Sequence, residues 1–398
     1  MRAQLSDDSN AALCDAIACR IAESANQRIT FAEYMALVLY HPEHGYYATK
    51  AVNIGRQGDF FTSPHLGADF GELLAEQFFQ MWEILEQPVP FMILELGAGQ
   101  GLLAADILEY LYRHYPDFFE VLDYVIVERS VAMRNEQQQR LHSLPLRWAT
   151  LEEIPADSIT GCCFSNELVD AMPVNQLVIA GGQLREIYVT TGDGTGFVEV
   201  TGEPCTPRLA EYFDLVSIEL PSTAYPAGYR SEVNLAALDW LGMIADRLQR
   251  GYLLTIDYGY PARRYYTPAR PQGTLQCYYR HRHHDNPYIN IGRQDITAHV
   301  DFTALELWGE VCGLQKIGFT QQALFLMALG LGDRIAALST GGSGMEAQGL
   351  ESLLRRREAL HQLIYPLGLG GFGVLVQSKG LTKAETAQPL KGLMPTAC

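Results

Sequence analysis

The middle of the chain alternates short apolar runs with amphipathic segments. Residues 91–96 form an apolar run that leads into glycines, and residues 102–113 then carry apolar side chains at helical spacing. The same succession continues with a strand at 124–128, a helix at 131–142, a short strand near 146–148 and a fourth strand at 160–165. Strands that alternate with helices predict a parallel sheet of the doubly wound α/β class.

The segments on either side of this core have other patterns. Apolar residues four apart over about 9–24 predict a helix, and the capping box Thr30-Phe-Ala-Glu33 predicts a second one. Short β runs with glycine turns over 175–201 predict an antiparallel insertion, after which a helix at 233–248 and a strand at 252–257 resume the first pattern. We therefore expect a helical cap with a ligand loop (1–88), a first part of the sheet domain (89–174), an inserted β region (175–232), the rest of the sheet domain with an accessory loop (233–380) and a disordered polar tail (381–398).

Three glycines, Gly97, Gly99 and Gly101, fall in the predicted turn between the first strand and its helix. They let the backbone approach a ligand closely, and the helix N-terminus offers free N–H groups. A dinucleotide motif would have its third glycine one residue later, where Leu102 stands. Glu95, two residues before the first glycine, gives instead the acid-x-Gly-x-Gly-x-Gly pattern of class I S-adenosyl-L-methionine methyltransferases, whose cofactor is cationic. A tight turn in another α/β fold is the alternative.

Further candidates for cofactor binding come before and after this turn. Glu128 ends the second strand, where a carboxylate would hydrogen-bond ribose hydroxyls. The segment Gly58-Asp-Phe-Phe-Thr-Ser-Pro64 offers Asp59, Thr62, Ser63 and Pro64 as a ligand loop, although an ordinary Asx or Ser/Thr turn accounts for it equally well.

Candidate catalytic residues follow the fourth and fifth strands, where open parallel sheets bind their ligands. Asn166, Glu167 and Asp170 follow the fourth strand, so we expect them at the reactive end of the cofactor, with Asn166 as a cofactor ligand; helix capping is the alternative. Asp257 ends the fifth strand and could line an acceptor pocket or simply close a turn. His299 could also belong to the acceptor site.

Composition narrows the class of protein and of partner. The chain has 398 residues and a formal net charge of −17, which disfavours a nucleic-acid partner. Scattered cysteines without a Cys-x-x-Cys motif, and an N-terminus without an apolar signal core, predict a cytoplasmic protein, and no apolar run is long enough to span a membrane. The run Arg280–Asp285 contains three histidines, but its two arginines disfavour a metal, and we expect none.

The ordered set of motifs resembles the MidA family, the S-adenosyl-L-methionine-dependent methyltransferases related to the mitochondrial complex I assembly factor that methylates arginine. The resemblance covers about residues 28–380, and His284 departs from the family pattern, which has a single histidine before the aspartate. The matching segments are Gly58-Asp-Phe-Phe-Thr-Ser-Pro64, Glu95-Leu-Gly-Ala-Gly-Gln-Gly101, Asn166-Glu-Leu-Val-Asp-Ala-Met-Pro173, Ile256-Asp-Tyr-Gly259, Gly273-Thr-Leu through His281-Arg-His-His-Asp285, and Thr297-Ala-His-Val-Asp-Phe302.

The resemblance implies a class I methyltransferase core with a helical N-terminal addition and an inserted substrate region. It also implies methylation of an arginine in a partner protein, which for the mitochondrial relatives is a complex I subunit. A non-catalytic assembly factor with the same fold and a small-molecule methyltransferase are the alternatives, and an NAD-dependent enzyme is a more distant one because the glycine spacing differs.

Overall fold

The short apolar runs form a seven-stranded central sheet, whose strands we number β1 to β7 in chain order. The computed structural model describes residues 8–49, 62–192, 196–280, 282–340 and 347–395. The sheet consists of β1 (Phe91–Leu96), β2 (Leu122–Val127), β3 (Leu146–Ala149), β4 (Ile159–Asn166), β5 (Leu248–Asp257), β6 (Gln315–Gln321) and β7 (Gly373–Lys379).

The order across the sheet is β3-β2-β1-β4-β5-β7-β6. All neighbours are parallel except β7, which runs antiparallel to both β5 and β6. The strand order therefore runs outward from β1 in one direction as far as β3 and continues from β4 in the other direction. The carboxyl ends of β1 and β4 lie side by side at this switch point, where such sheets bind ligands. The predicted doubly wound α/β fold is confirmed.

Helices cover both faces of the sheet because successive residues of each strand point to opposite sides. Ile93 of β1 belongs to a hydrophobic cluster with the helices at 69–84 and 102–114, whereas its neighbour Leu94 belongs to a cluster with the helices at 235–247 and 302–311. The described α-helices are Ala11–Glu23, Phe31–Tyr40, Tyr46–Thr49, Asp69–Ile84, Leu102–His114, Pro116–Glu120, Val131–Arg140, Arg208–Leu215, Leu235–Arg247, Ala262–Tyr265, Phe302–Val311, Gln322–Ala328, Leu331–Thr340, Ala347–Leu363 and Lys383–Thr386.

The predicted antiparallel pairing over 175–201 is confirmed and extends further in both directions. Its sheet contains Ile29–Thr30, Asn175–Ala180, Gln183–Thr191, Phe197–Gly202 and Arg230–Val233. The N-terminal helices pack against this insertion, since Leu13, Tyr34, Val189 and Ile296 belong to one buried cluster. Smaller sheets join Gly259–Tyr260 to Val300–Asp301, and Gln276–Tyr279 to Arg282–His284 and Asp295–Thr297.

The predicted disorder of the tail is wrong for residues 381–395, which are described and packed on the core. Leu390 is buried, and the Gly392 N–H donates to Gln77 Oε1 at 2.9 Å on the helix at 69–84. Glu385 caps its own short helix and pairs with Arg250. A polar composition concealed these specific contacts, which anchor the segment.

Candidate active site

Two cavities open beside the carboxyl ends of the central strands. The first has a volume of about 390 Å³ and is lined by the turn after β1, by Glu128 after β2 and by residues after β4. The second has a volume of about 750 Å³ and is lined by residues that follow β4 and β5 and by the segment 295–299. Tyr47 and Glu167 line both cavities and form their shared wall.

The predicted glycine turn adopts a backbone that requires glycine. Gly97, Gly99 and Gly101 have φ angles of 72°, 52° and 77°, in the left-handed region. A Cβ atom on Gly99 would meet no heavy atom within 4 Å, whereas one on Gly97 or Gly101 would approach Leu168 at 2.7 Å or Leu141 at 2.9 Å. Gly99 thus lines the first cavity with bare backbone, which leaves room for a ligand.

The two acids predicted to bind the cofactor both line the first cavity, where Glu95 is buried and Glu128 is half-buried. Glu95 accepts the Tyr124 hydroxyl at 2.7 Å, and burial raises its pKa to about 8. Glu128 accepts the Ser130 N–H at 2.8 Å and Gln137 Nε2 at 3.1 Å, and burial raises its pKa. These bonds occupy only part of the acceptor capacity of each carboxylate, so both can still bind a ligand.

Gln137, on the helix at 131–140, holds two parts of the first cavity together, and no local sequence pattern indicates this role. Its side-chain nitrogen donates to the Gly99 carbonyl at 2.7 Å as well as to Glu128, and its oxygen accepts the Trp148 indole N–H at 2.9 Å. One amide therefore joins the glycine turn after β1 to the acid after β2.

The segment after β4 brings Asn166, Glu167 and Asp170 into the site. Asn166 and Glu167 line the first cavity, and Glu167 and Asp170 line the second. Residues 167–174 are all described and contain no helix, so the helix-capping alternative does not apply. Instead Glu167 has a left-handed φ of 51°, a strained backbone that is typical of functional sites.

Among the described residues, each acid of this segment has a carboxylate oxygen without a protein donor. Asn166 Nδ2 at 3.1 Å and the Ser63 N–H at 3.4 Å both donate to Glu167 Oε1, whereas no described group donates to Oε2. Asp170 Oδ1 and Asn166 Oδ1 are buried and have no hydrogen-bond partner among the same residues. Buried acceptors without a donor indicate that a ligand with N–H groups completes the site.

Burial and mutual repulsion hold these acids partly protonated. Burial, together with the charge of Asp170, raises the pKa of Glu167 to about 8. Burial raises the pKa of Asp170 to about 6, while a hydrogen bond from the Tyr258 hydroxyl lowers it. A cation bound between them would favour the ionised form of both acids.

Asp257 lines neither of these two cavities, which corrects the prediction that it could line an acceptor pocket. Its Oδ2 accepts the N–H groups of Leu168 at 3.2 Å, Val169 at 2.9 Å and Asp170 at 3.3 Å. Its Oδ1 accepts the N–H of Tyr258 at 2.8 Å. It is therefore a positioning residue that holds the turn carrying the other two acids.

His299 lines the second cavity, and its part in an acceptor site stays a prediction. Its ring stacks on Tyr260, with centroids 5.1 Å apart, and its buried Nδ1 has no hydrogen-bond partner in the described part of the chain. Burial and the nearby Arg270 lower its pKa to about 4, so the ring is neutral at pH 7. Asp301, two residues on, caps the next helix by accepting the N–H groups of Thr303 and Ala304.

The predicted ligand loop lies only partly within the described residues, and Asp59 is outside them. Thr62 and Pro64 line the first cavity. Ser63 is fully buried beneath it, where its N–H donates to Glu167 and its hydroxyl accepts Gln322 Nε2 at 3.3 Å. Ser63 is therefore a support for Glu167 rather than part of the cavity wall.

Two tyrosines that sequence reasoning missed complete the site from the N-terminal addition. Tyr40 and Tyr47 stack with ring centroids 5.4 Å apart. Tyr40 donates to the Ala171 carbonyl at 2.8 Å, and Tyr47 donates to Asp295 at 3.1 Å. Tyr40 ends the helix at 31–40 and Tyr47 lies in the short helix at 46–49, so their contribution to the site depends on tertiary packing that no local sequence pattern indicates.

The histidine-rich run forms an edge strand at Arg282–His284, and His281 lies outside the described residues. The described part of the chain contains no group of three or more possible ligands that could hold a metal ion. Among the same residues, no helix is long and apolar enough to cross a membrane.

Comparison with known proteins identifies the family. Residues 73–320 match a family model described as "Putative S-adenosyl-L-methionine-dependent methyltransferase". The chain belongs to this family. The match spans β1 to β5 and therefore includes the glycine turn and the acids that follow β2 and β4.

Relatives and solved structures agree with this assignment. The chain is 30% identical over 334 residues to the Drosophila melanogaster "Protein arginine methyltransferase NDUFAF7 homolog, mitochondrial", which covers 76% of this chain and 71% of that protein. It is 25% identical over 346 residues to the human protein of that name, with 78% and 72% covered. A COG1565 superfamily member from Burkholderia thailandensis, crystallised with S-adenosyl-homocysteine, superposes with a TM-score of 0.81 and 30% identity, covering 96% of this chain and 94% of that chain.

The predicted family, fold and cofactor are thus confirmed, whereas the predicted cytoplasmic location is wrong. The fly and human relatives are both named as mitochondrial proteins. The prediction rested on scattered cysteines and on an N-terminus without an apolar signal core. Neither feature separates the cytoplasm from another reducing compartment.

The first cavity suits S-adenosyl-L-methionine chemically. Bare backbone at Gly99 leaves open space, the carboxylates of Glu95 and Glu128 suit ribose hydroxyls and a cationic ligand, and Asn166 Oδ1 is an unfilled acceptor for an ammonium group. When bound, this cofactor supplies a methyl group already activated on a sulfonium.

Glu128→Ala is expected to weaken the binding of S-adenosyl-homocysteine about tenfold to 100-fold, because a hydrogen bond to a charged group contributes about 1–3 kcal/mol. Isothermal titration calorimetry measures the change. Asp123→Ala, which removes a partly exposed carboxylate at the other end of β2 paired with Arg147, is the control and should leave the affinity unchanged. Equal affinities for the wild type and Glu128→Ala would show that Glu128 is not a cofactor ligand.

Proposed function

We propose that this methyltransferase transfers the methyl group to the side chain of an arginine in a partner protein. The observation that carries the proposal is the second cavity, which is lined by the half-buried Glu167, on the wall shared with the first cavity, and by the buried Asp170. Asp295, 1% exposed, adds a third acid to the same cavity. The names of the fly and human relatives support the same acceptor.

A guanidinium suits this arrangement better than a neutral acceptor does. Arginine stays protonated in proteins and presents five N–H donors in a planar fork, so carboxylates can bind it from more than one side. The charge of Asp170 raises the pKa of Glu167, and a guanidinium between these two acids would relieve that repulsion. The tyrosine rings of Tyr258 and Tyr278 line the same cavity and offer faces on which a guanidinium can stack.

Each acid has a distinct part in the proposed reaction. Glu167, on the shared wall, orients the guanidinium nitrogen toward the first cavity, and its carboxylate accepts the proton that the nitrogen loses on methylation. Asp170 holds the opposite edge of the guanidinium. Asp257 holds the backbone of the turn that carries these acids, through the N–H groups of residues 168–170. His299 is neutral and can accept a hydrogen bond from the acceptor through Nδ1. Orientation and fixed charge are the main contributions of the chain to catalysis.

The proposal is tested by incubating the purified protein with isotope-labelled S-adenosyl-L-methionine and a protein extract from cells that lack the gene. Mass spectrometry of the products should find labelled methylarginine in one or a few proteins. The same incubation with the Glu167→Gln variant should give little labelled methylarginine. Label confined to other amino acids, or to small molecules, would contradict an arginine acceptor.

The rate should rise with pH between about 6 and 9. Glu167 and Asp170 have pKa values raised to about 8 and about 6, and the proposed role needs both acids ionised. Protonation at low pH therefore removes the charge that holds the acceptor, and the loss reverses as pH rises through these values. Plots of kcat/KM against pH measure this. A rate that is flat, or that falls over the same range, would contradict the role of these acids.

A further inference from the structure

Apolar side chains line the mouth of the second cavity. Leu367 is 88% exposed and Phe319 is 38% exposed, and both line this cavity together with Pro366 and Phe372. A single exposed leucine is ordinary on a protein surface. Apolar residues gathered at the opening of one polar cavity are typical of an interaction site. We call these four residues the apolar rim.

The apolar rim is continuous with the acids below it. The ring of Phe372 lies 5.4 Å from the ring of Tyr258, which lines the second cavity together with Asp170. Phe319 packs against the buried Phe302 with ring centroids 5.0 Å apart, which anchors it on the core. The Tyr258–Phe372 contact thus joins the wall around the acids to the opening.

The backbone that presents Leu367 is fixed before any ligand binds. The N–H groups of Gly368 and Gly370 both donate to the Tyr365 carbonyl, at 3.0 Å and 3.1 Å. This closes a turn between the helix at 347–363 and the short helix at 369–371. A preformed apolar surface contributes to binding without the cost of ordering a loop.

We propose that the apolar rim binds a large apolar side chain that stands next to the methylated arginine in an extended segment of the acceptor protein. This inference rests on the proposed function and names a determinant of its acceptor. A free amino acid or small amine could reach the acids but would leave Leu367 in water. A polypeptide places its basic side chain among the acids and its neighbouring side chain on the rim, and the cavity of about 750 Å³ is large enough for more than one side chain.

The experiment uses synthetic peptides with one arginine in a Gly-Ser background. Four of them carry leucine at one of the two positions on either side of the arginine, and a fifth carries none. The wild type is expected to methylate the best leucine peptide with a kcat/KM about tenfold above that of the leucine-free peptide, because burial of a leucine side chain has about this effect or more. Leu367→Ser should remove that advantage while it leaves the leucine-free peptide unchanged.

Leu354→Ser is the matched control, since Leu354 is 52% exposed on the helix at 347–363 and lines neither cavity. It should keep the preference for leucine. Equal rates for all peptides with the wild type, or an equal loss on every peptide with Leu367→Ser, would overturn the inference and leave the proposed function standing. If no arginine peptide is methylated although S-adenosyl-homocysteine binds, the proposed function fails and the inference fails with it.

Discussion

Glu167→Gln should lower turnover about 100-fold or more while the affinity for S-adenosyl-homocysteine changes little. The substitution keeps the size of the side chain and its contacts with Asn166 and Ser63, but it removes the charge from the shared wall. Loss of a single group that stabilises the reacting charge commonly has an effect of this size. The assay is best run at pH 9, above the raised pKa of about 8, where the wild-type acid is ionised.

Two further variants separate a catalytic role of Glu167 from a structural one. Asp170→Asn should also lower turnover, because it removes the second acid of the proposed guanidinium site. Glu186→Gln is the matched control, since Glu186 is fully buried in the insertion, where it accepts Asn175 Nδ2 at 2.8 Å. It should lower the melting temperature and leave turnover nearly intact. If Glu167→Gln were equally active and merely less stable, the carboxylate would have a structural role, and the family assignment would be unaffected.

Gly99→Ala should weaken the binding of S-adenosyl-homocysteine about 100-fold or more. The new methyl group would stand in the open space of the first cavity, where the backbone approaches the ligand. Rotation of a side chain cannot relieve this clash, because the alanine Cβ is bonded directly to the main chain. Calorimetry with S-adenosyl-homocysteine measures the affinity, and the melting temperature is recorded beside it.

Gly181→Ala separates this steric effect from backbone strain. Gly181 has a φ of 60° and open space around its position, as Gly99 does, but it lies in a turn of the insertion. Both variants should therefore lose similar stability, of about 1 kcal/mol, for an alanine in the left-handed region. Only Gly99→Ala should lose affinity, and an equal loss in Gly181→Ala would mean that the effect is not local to the cavity.

The parts of the site that the sequence predicts are those that local pattern determines. An apolar run followed by glycines marks a strand end, so Gly99 and Glu128 could be assigned to the first cavity before any tertiary contact was known. Glu167 was expected at the same edge of the sheet for the same reason. Its left-handed backbone and the absence of a helix after it were not predictable, because Asp257, at the end of β5, holds the turn that follows Glu167 through the N–H groups of residues 168–170.

The contacts that close the site could not be obtained from any local pattern. Tyr47 reaches the shared wall from a helix of four residues, and its partner Asp295 lies 248 residues further along the chain. The tail shows the converse: its polar composition predicted disorder, yet Gly392 bonds to Gln77 across the fold. Local composition describes how a segment behaves in isolation. The position of Tyr47 and the order of the tail depend instead on contacts with distant parts of the chain.

Tyr47 and Glu167 line both cavities, so a shift of this wall would link the binding of the two ligands. If cofactor binding moves the wall, the affinity for the acceptor changes by some factor. Acceptor binding must then change the affinity for the cofactor by the same factor. Release of the spent cofactor and release of the methylated segment would then be governed by one coupling free energy. A protein that stays bound after methylation would retain S-adenosyl-homocysteine with it, so the length of one encounter would set the rate at which the enzyme can be reloaded.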